Sequence, residues 1–250
     1  MENIFELFSS EIFYLFCFAT IYFGAIIQSA VGFGFGISAA VLILFDPRLV
    51  PGTILVMGTF LASTNAIINF KKIYTKDLII SLCGRVLGAL ISLPLLLFTF
   101  GKESFLIIFA IILLIAVYFS AKKFNIIATA KNVFIASSLS GFMGTITGIG
   151  GPPMGIVYQN SKSLNVSATL NAFFSIGAFI SVIMLMYADI IHLDDFYKSL
   201  LLLPALILGI WTSKLQWINN YIDSRFKNVV LAICILTAVL IIIKFIIANI

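Results

Sequence analysis

Two stretches of this 250-residue chain decide its reading: QSAVGFGFG at residues 28–36 and GTITGIGGPP at residues 144–153. Each sits in the middle of an apolar run, Ile12–Phe45 and Val133–Tyr158. A helix crossing a bilayer needs about 20 apolar residues, so the first run is too long for one helix. Glycine at such density breaks a helix, and irregular backbone at membrane depth must be buried in protein or line a wet cavity. Six further apolar segments follow the same ruler: Leu49–Phe70, Leu78–Phe100, Phe105–Ser120, Leu164–Tyr187, Phe196–Leu215 and Phe226–Ile247.

Composition agrees with that reading. The chain is 62% hydrophobic with a mean hydropathy of +1.17, and 10% of its residues are charged, against about 25% in a typical soluble domain. So few charges cannot cover a water-facing surface, which excludes a soluble enzyme, a nucleic-acid-binding domain and a disordered segment. The net charge of +5 is read as membrane topology and not as a nucleic-acid signal. Cys17, Cys83 and Cys234 lie in apolar runs without metal-ligand spacing and read as small fillers. The N-terminus carries Glu2, Glu6 and Glu11 but no basic n-region, so a retained first segment is expected.

The two glycine stretches also divide the chain. A shift of 116 residues carries Gly32 onto Gly148, Gly34 onto Gly150, Val50 onto Val166, Thr53 onto Thr169 and Thr59 onto Ser175. The reading is one transmembrane domain over 1–250, built of two repeats, about 1–121 and 131–250. Charge decides their relative sense. If both glycine-broken segments enter and return on one side, ten loop Lys and Arg residues, among them Lys76, Lys123, Lys162, Arg225 and Lys227, face four: Arg48, Lys102, Lys198 and Lys244. The positive-inside rule favours this topology. The expected fold is therefore an all-α polytopic membrane protein of two inverted repeats. Each is a glycine-broken re-entrant or discontinuous helix hairpin plus three transmembrane helices, with both termini outside.

Matched breaks in two repeats point to a binding site at the midplane. In the second, Gly150 and Gly151 permit a tight turn and Pro152 suits a first helical turn, so a half-helix starts near Pro152. In the first, Gly32, Gly34 and Gly36 prepare a half-helix starting near Gly36. Two opposed helix N-termini favour an anion over a cation. Gly24, Gly58, Gly84, Gly88 and Gly209 read instead as sites of close helix packing.

The pairing of QSAVGFGFG with GTITGIGGPP, in a chain of this length with eight apolar segments, resembles the TauE/SafE (sulfite exporter) family of transporters. The resemblance spans both repeats. It implies transport of small anions, including sulfite and organosulfonates, across the bacterial or archaeal inner membrane.

The polar residues inside the spans refine the site. Every Asp and Glu falls at a terminus or in a loop, which suits an anion path. Arg85 alone places a basic charge well inside a span, about 10 Å deep at 1.5 Å per residue. It either snorkels to the interface or coordinates the anion. Gln28 and Ser29 precede the first break; Thr145 and Thr147 precede the second, and Tyr158, Gln159 and Asn160 end its half-helix. Thr59 and Ser63 share one helix face, as do Asn171 and Ser175, and the repeat sets these faces opposite each other. Gln28, Asn65 and Asn171 each need a partner. The candidate substrate-binding set is Gln28, Gly32, Gly34, Gly36, Asn65, Arg85, Thr147, Gly148, Gly150, Gly151, Pro152 and Asn171. His192 reads as a solvated loop residue, and Trp211, Trp217 and Tyr221 as an interfacial aromatic belt.

The function expected is a secondary transporter for a small anion, working by rocking of two repeats around a fixed site in the plasma (inner) membrane. An anion channel uses the same parts. An intramembrane enzyme lacks a His beside a nucleophile, a metal cluster and paired carboxylates. No metal, cofactor or nucleic acid is called for. The partners are a small anion and lipid, with a coupling ion and a second copy of the chain left open.

Overall fold

The computed structural model describes residues 11–122, 126–159, 164–215 and 224–248. Both termini, Lys123, Lys162, Asn160, Trp217 and Tyr221 lie outside the described residues. Every regular element among the described residues is helical. The α-helices are α1 Glu11–Val31, α2 Gly36–Phe45, α3 Gly52–Ile68, α4 Thr75–Thr99, α5 Glu103–Ala121, α6 Ala130–Thr147, α7 Gly151–Val157, α8 Leu164–Tyr187, α9 Leu193–Thr212 and α10 Ser224–Ala248. Four of them, α1, α4, α5 and α8, are long and apolar enough to cross a membrane.

The glycine stretches turn two of the apolar runs into hairpins. After α1 the chain reverses, and α2 runs back beside it. The Ser38 hydroxyl donates to the Thr20 carbonyl at 3.1 Å, and the Phe16 and Phe45 rings lie 4.4 Å apart. The second hairpin closes the same way. The Ser140 hydroxyl donates to the Gly150 carbonyl at 2.6 Å, while Met154 and Val157 of α7 pack with Val133 and Ala136 near the start of α6. Helix ends follow local chemistry. Thr129 accepts the Asn132 N–H at the start of α6, and the Asp195 carboxylate accepts the His192 N–H at the start of α9.

Lipid gives helices no hydrophobic reason to associate, so close fit and hydrogen bonds must hold them. The glycines of α4 supply that fit. A Cβ at Gly84 would meet Ser137 and the Phe134 carbonyl, and one at Gly88 would meet Ser138 and Phe142. Residue numbers rise together, so α4 and α6 run parallel. Helix α9 lies along α1 in the same manner, with Gly209 against Tyr22 and Ala25. The Tyr14 hydroxyl also donates to the Leu201 carbonyl at 3.0 Å. Contacts come in exchanged pairs: α4 on α6 and α9 on α1, α5 on α7 and α10 on α2, α4 on α8 and α9 on α3.

Helices α3 and α8 cross antiparallel, joined by Ser63 and Ser175, whose hydroxyls lie 2.7 Å apart. The ends of α3 are latched to the second half of the chain. Thr53 donates to the buried Asp195 carboxylate at 3.0 Å. Beyond the other end, the Tyr74 N–H donates to Thr169 Oγ1 at 2.9 Å. Large apolar side chains such as Phe98, Ile79 and Trp211 point outward and stay exposed, as a surface solvated by lipid requires.

Candidate functional site

The two breaks touch each other. Gly36, the first residue of α2, lies against the Ile149 backbone between α6 and α7. In the first break Gly34 has φ +126°, a conformation that side-chain-bearing residues rarely adopt. The Gln28 Oε1 closes it by accepting the Phe35 N–H at 3.2 Å. In the second break Gly148, with φ +74°, ends α6 in the left-handed conformation. Thr147 Oγ1 accepts the Ile149 N–H at 3.0 Å.

Gly150 and Gly151 therefore do not make the tight turn expected of them; Gly148 does. They are glycine for clearance. Gly150 faces Ser140 and the Arg85 guanidinium, and Gly151 faces the Phe33 ring. A second expectation also changes. Pro152 and Pro153 carry no N–H, so the seven-residue α7 presents few free amides at its start.

Between the breaks lies a cavity of about 50 Å³, several times the space one water needs. Gln28, Gly34, Gly36, Arg85, Gly148, Gly150 and Gly151 line it, and Phe33, Phe35 and Phe174 give it apolar walls. It thus gathers seven of the twelve candidate residues named above.

Arg85 does not snorkel. It is 2% exposed. From α4 its Nη1 donates to the Ser140 carbonyl on α6 at 2.5 Å and its Nη2 to Ser181 Oγ on α8 at 3.3 Å. Its guanidinium carbon lies 5.9 Å from the centre of the Phe173 ring. Its Nε has no hydrogen-bond partner among the described residues. No ion pair reaches it among the described residues, where Arg48–Asp46 and His192–Asp189 are the pairs that form. A buried cation is expected to be paired. This one is short of a negative charge.

The remaining candidates stand further off. The Asn65 amide donates to Ser29 Oγ at 3.0 Å. The Asn171 amide donates to its own helix at Ser167, leaving its buried Oδ1 without a partner. Gly32 packs on Ser167. Thr59, like many helical threonines, donates to the carbonyl four residues back. His192 is a loop residue 3.5 Å from Asp189. No cluster of His, Cys, Asp or Glu that could hold a metal occurs among the described residues.

The sequence reading missed Ser140, Ser181, Gly144 and Gly177, which together seat the guanidinium. A signal was there. The 116-residue shift carries Ser29 onto Thr145 and Asn65 onto Ser181, marking a polar pair in each half.

The family model for the sulfite exporter TauE/SafE matches residues 17–241, a stretch that holds both glycine breaks, Arg85 and every residue that lines the cavity. The chain belongs to the TauE/SafE family. No curated protein and no solved structure matches it. TauE/SafE proteins are transporters that carry sulfur anions across membranes, and the spans of this TauE/SafE chain suit that setting. Its cavity is lined by the buried Arg85 guanidinium, which has no ion-pair partner among the described residues.

Proposed function

We propose that this chain is a secondary transporter that moves a small sulfur-containing anion, an oxyanion or an organosulfonate, across the cytoplasmic membrane. The observation that carries this reading is Arg85: a guanidinium on the wall of an internal cavity, buried and without a carboxylate partner among the described residues. An anion of the right size cancels that charge. A cation would add to it.

The mechanism is alternating access around this cavity by two inverted five-helix series, α1–α5 and α6–α10. Three features support it. The helix contacts come in exchanged pairs. The central helices α3 and α8 run antiparallel and meet at equivalent faces, Ser63 on Ser175. Each series begins with a hairpin that returns to the side it entered. In this arrangement both termini face outward and the basic loops face the cytoplasm.

The test uses the purified full-length chain in liposomes, with sulfite, thiosulfate, methanesulfonate, acetate, choline and glucose as probes. Saturable flux of a sulfur anion is expected, and Arg85→Gln should lower it at least tenfold. Flux through Arg85→Gln equal to that of the parent, or a preference for choline or glucose, would overturn the proposal.

A further inference from the structure

The Arg85 guanidinium is the largest fully buried side chain in the described residues, and its seat is built from two helices of the second series. Ser181 stands at its centre. The Ser181 hydroxyl donates its one proton to the Gly177 carbonyl at 3.0 Å. Its oxygen accepts from Arg85 Nη2 at 3.3 Å. Thr145 Oγ1 lies 2.8 Å away. With the Ser181 proton committed to Gly177, Thr145 must be the donor in that contact. The serine hydroxyl is then saturated, with one bond given and two received.

On the other side of the guanidinium, Ser140 joins Arg85 to the glycine break. Its carbonyl takes Nη1, and its hydroxyl holds the Gly150 carbonyl. Small residues frame the group: a Cβ at Gly144 would sit 2.5 Å from Nη1, and one at Gly177 would sit 2.6 Å from Nε. Close fit and the two hydrogen bonds together hold the guanidinium in one orientation. The corresponding pair in the first half, Ser29 and Asn65, has no arginine to hold.

We infer that Ser181, backed by Thr145, is a positioning residue that fixes the plane of the Arg85 guanidinium against the cavity wall and so sets affinity for the anion. The inference rests on Arg85 meeting the anion, as proposed above. Without Ser181, Nη2 loses its acceptor and the guanidinium can turn within its seat. The anion then pays for ordering it.

The experiment measures sulfite and thiosulfate uptake by liposomes carrying the full-length chain. Ser181→Ala is expected to raise KM about tenfold, the size of one charge-assisted hydrogen bond, with kcat within about twofold of the parent. Ser181→Thr, which keeps the hydroxyl, should restore the parent KM. Thr145→Val removes the supporting bond without touching Arg85 and should raise KM by a smaller factor; it also serves if Ser181→Ala fails to assemble. A double-mutant cycle with Arg85→Lys should show non-additive effects. An unchanged KM in Ser181→Ala or Thr145→Val, or additive effects in the cycle, would overturn the positioning role while leaving the anion reading intact. An unchanged KM in Arg85→Gln would overturn the anion reading itself.

Discussion

Gly144 and Gly177 stand so close to the Arg85 guanidinium that an added methyl group would lie 2.5 Å from Nη1 or 2.6 Å from Nε. Alanine is the better helix former by roughly 0.5–1 kcal/mol, so Gly177→Ala should keep or raise helix content while pushing the guanidinium out of place. The expected outcome is sulfite binding weakened at least tenfold with an unchanged far-UV circular dichroism spectrum. Parent-like binding would show that the guanidinium is free to move aside. At this scale the sequence was legible in part. Arg85 stood out because charge within a span is costly. Whether it turned outward or inward depended on which face of α4 met α6, and no spacing rule within α4 reveals that. Gln28, read as needing a partner, and Thr147, read as part of the candidate binding set, both serve the backbone of the breaks, bonding Phe35 and Ile149.

Helices are held here by lanes of small residues and by latches at their ends. Gly88 of α4 is pressed against the Ser138 carbonyl and Phe142 N of α6, so Gly88→Val must part the two helices. A loss of about 1–3 kcal/mol is expected for such overpacking, read as a lower unfolding temperature in detergent. Asp195 does two jobs: it accepts from His192 N at the start of α9 and from Thr53 at the start of α3. Asp195→Ala should therefore cost about 1–3 kcal/mol. Thr53→Val should cost only part of that, since it leaves the helix cap intact; a loss equal to that of Asp195→Ala would mean the cap contributes nothing. Starts of the short helices were legible because glycine and proline mark them, and α2 does begin at Gly36. The turn residue in the second break was not, since Gly148, Gly150 and Gly151 are equivalent until the neighbours that crowd them are known.

Across the whole molecule, the loops at the two ends of α4 should meet different solutions. In a background with Cys17, Cys83 and Cys234 replaced by Ala, Lys102→Cys is expected to react with a membrane-impermeant maleimide in intact cells. Lys76→Cys should react only after permeabilisation. Both positions are exposed, so the reverse pattern would mean the orientation is wrong. The apolar, helical character of the chain was legible from composition alone. What composition could not supply was the meeting of the two breaks, Gly36 on Ile149, because contacts between distant segments leave no periodicity in either one.

The unpaired charge of Arg85 also has an electrical meaning. Among the described residues, Arg85 places one positive charge on the cavity wall with no ion-pair partner. A monovalent anion brings it to neutrality, and a divalent one reverses its sign. Each charge displaced through the full membrane potential is worth about 2.3 kcal/mol per 100 mV. On the proposed reading, the valence of the bound anion thus decides how voltage biases the loaded protein, and a single buried guanidinium sets that balance.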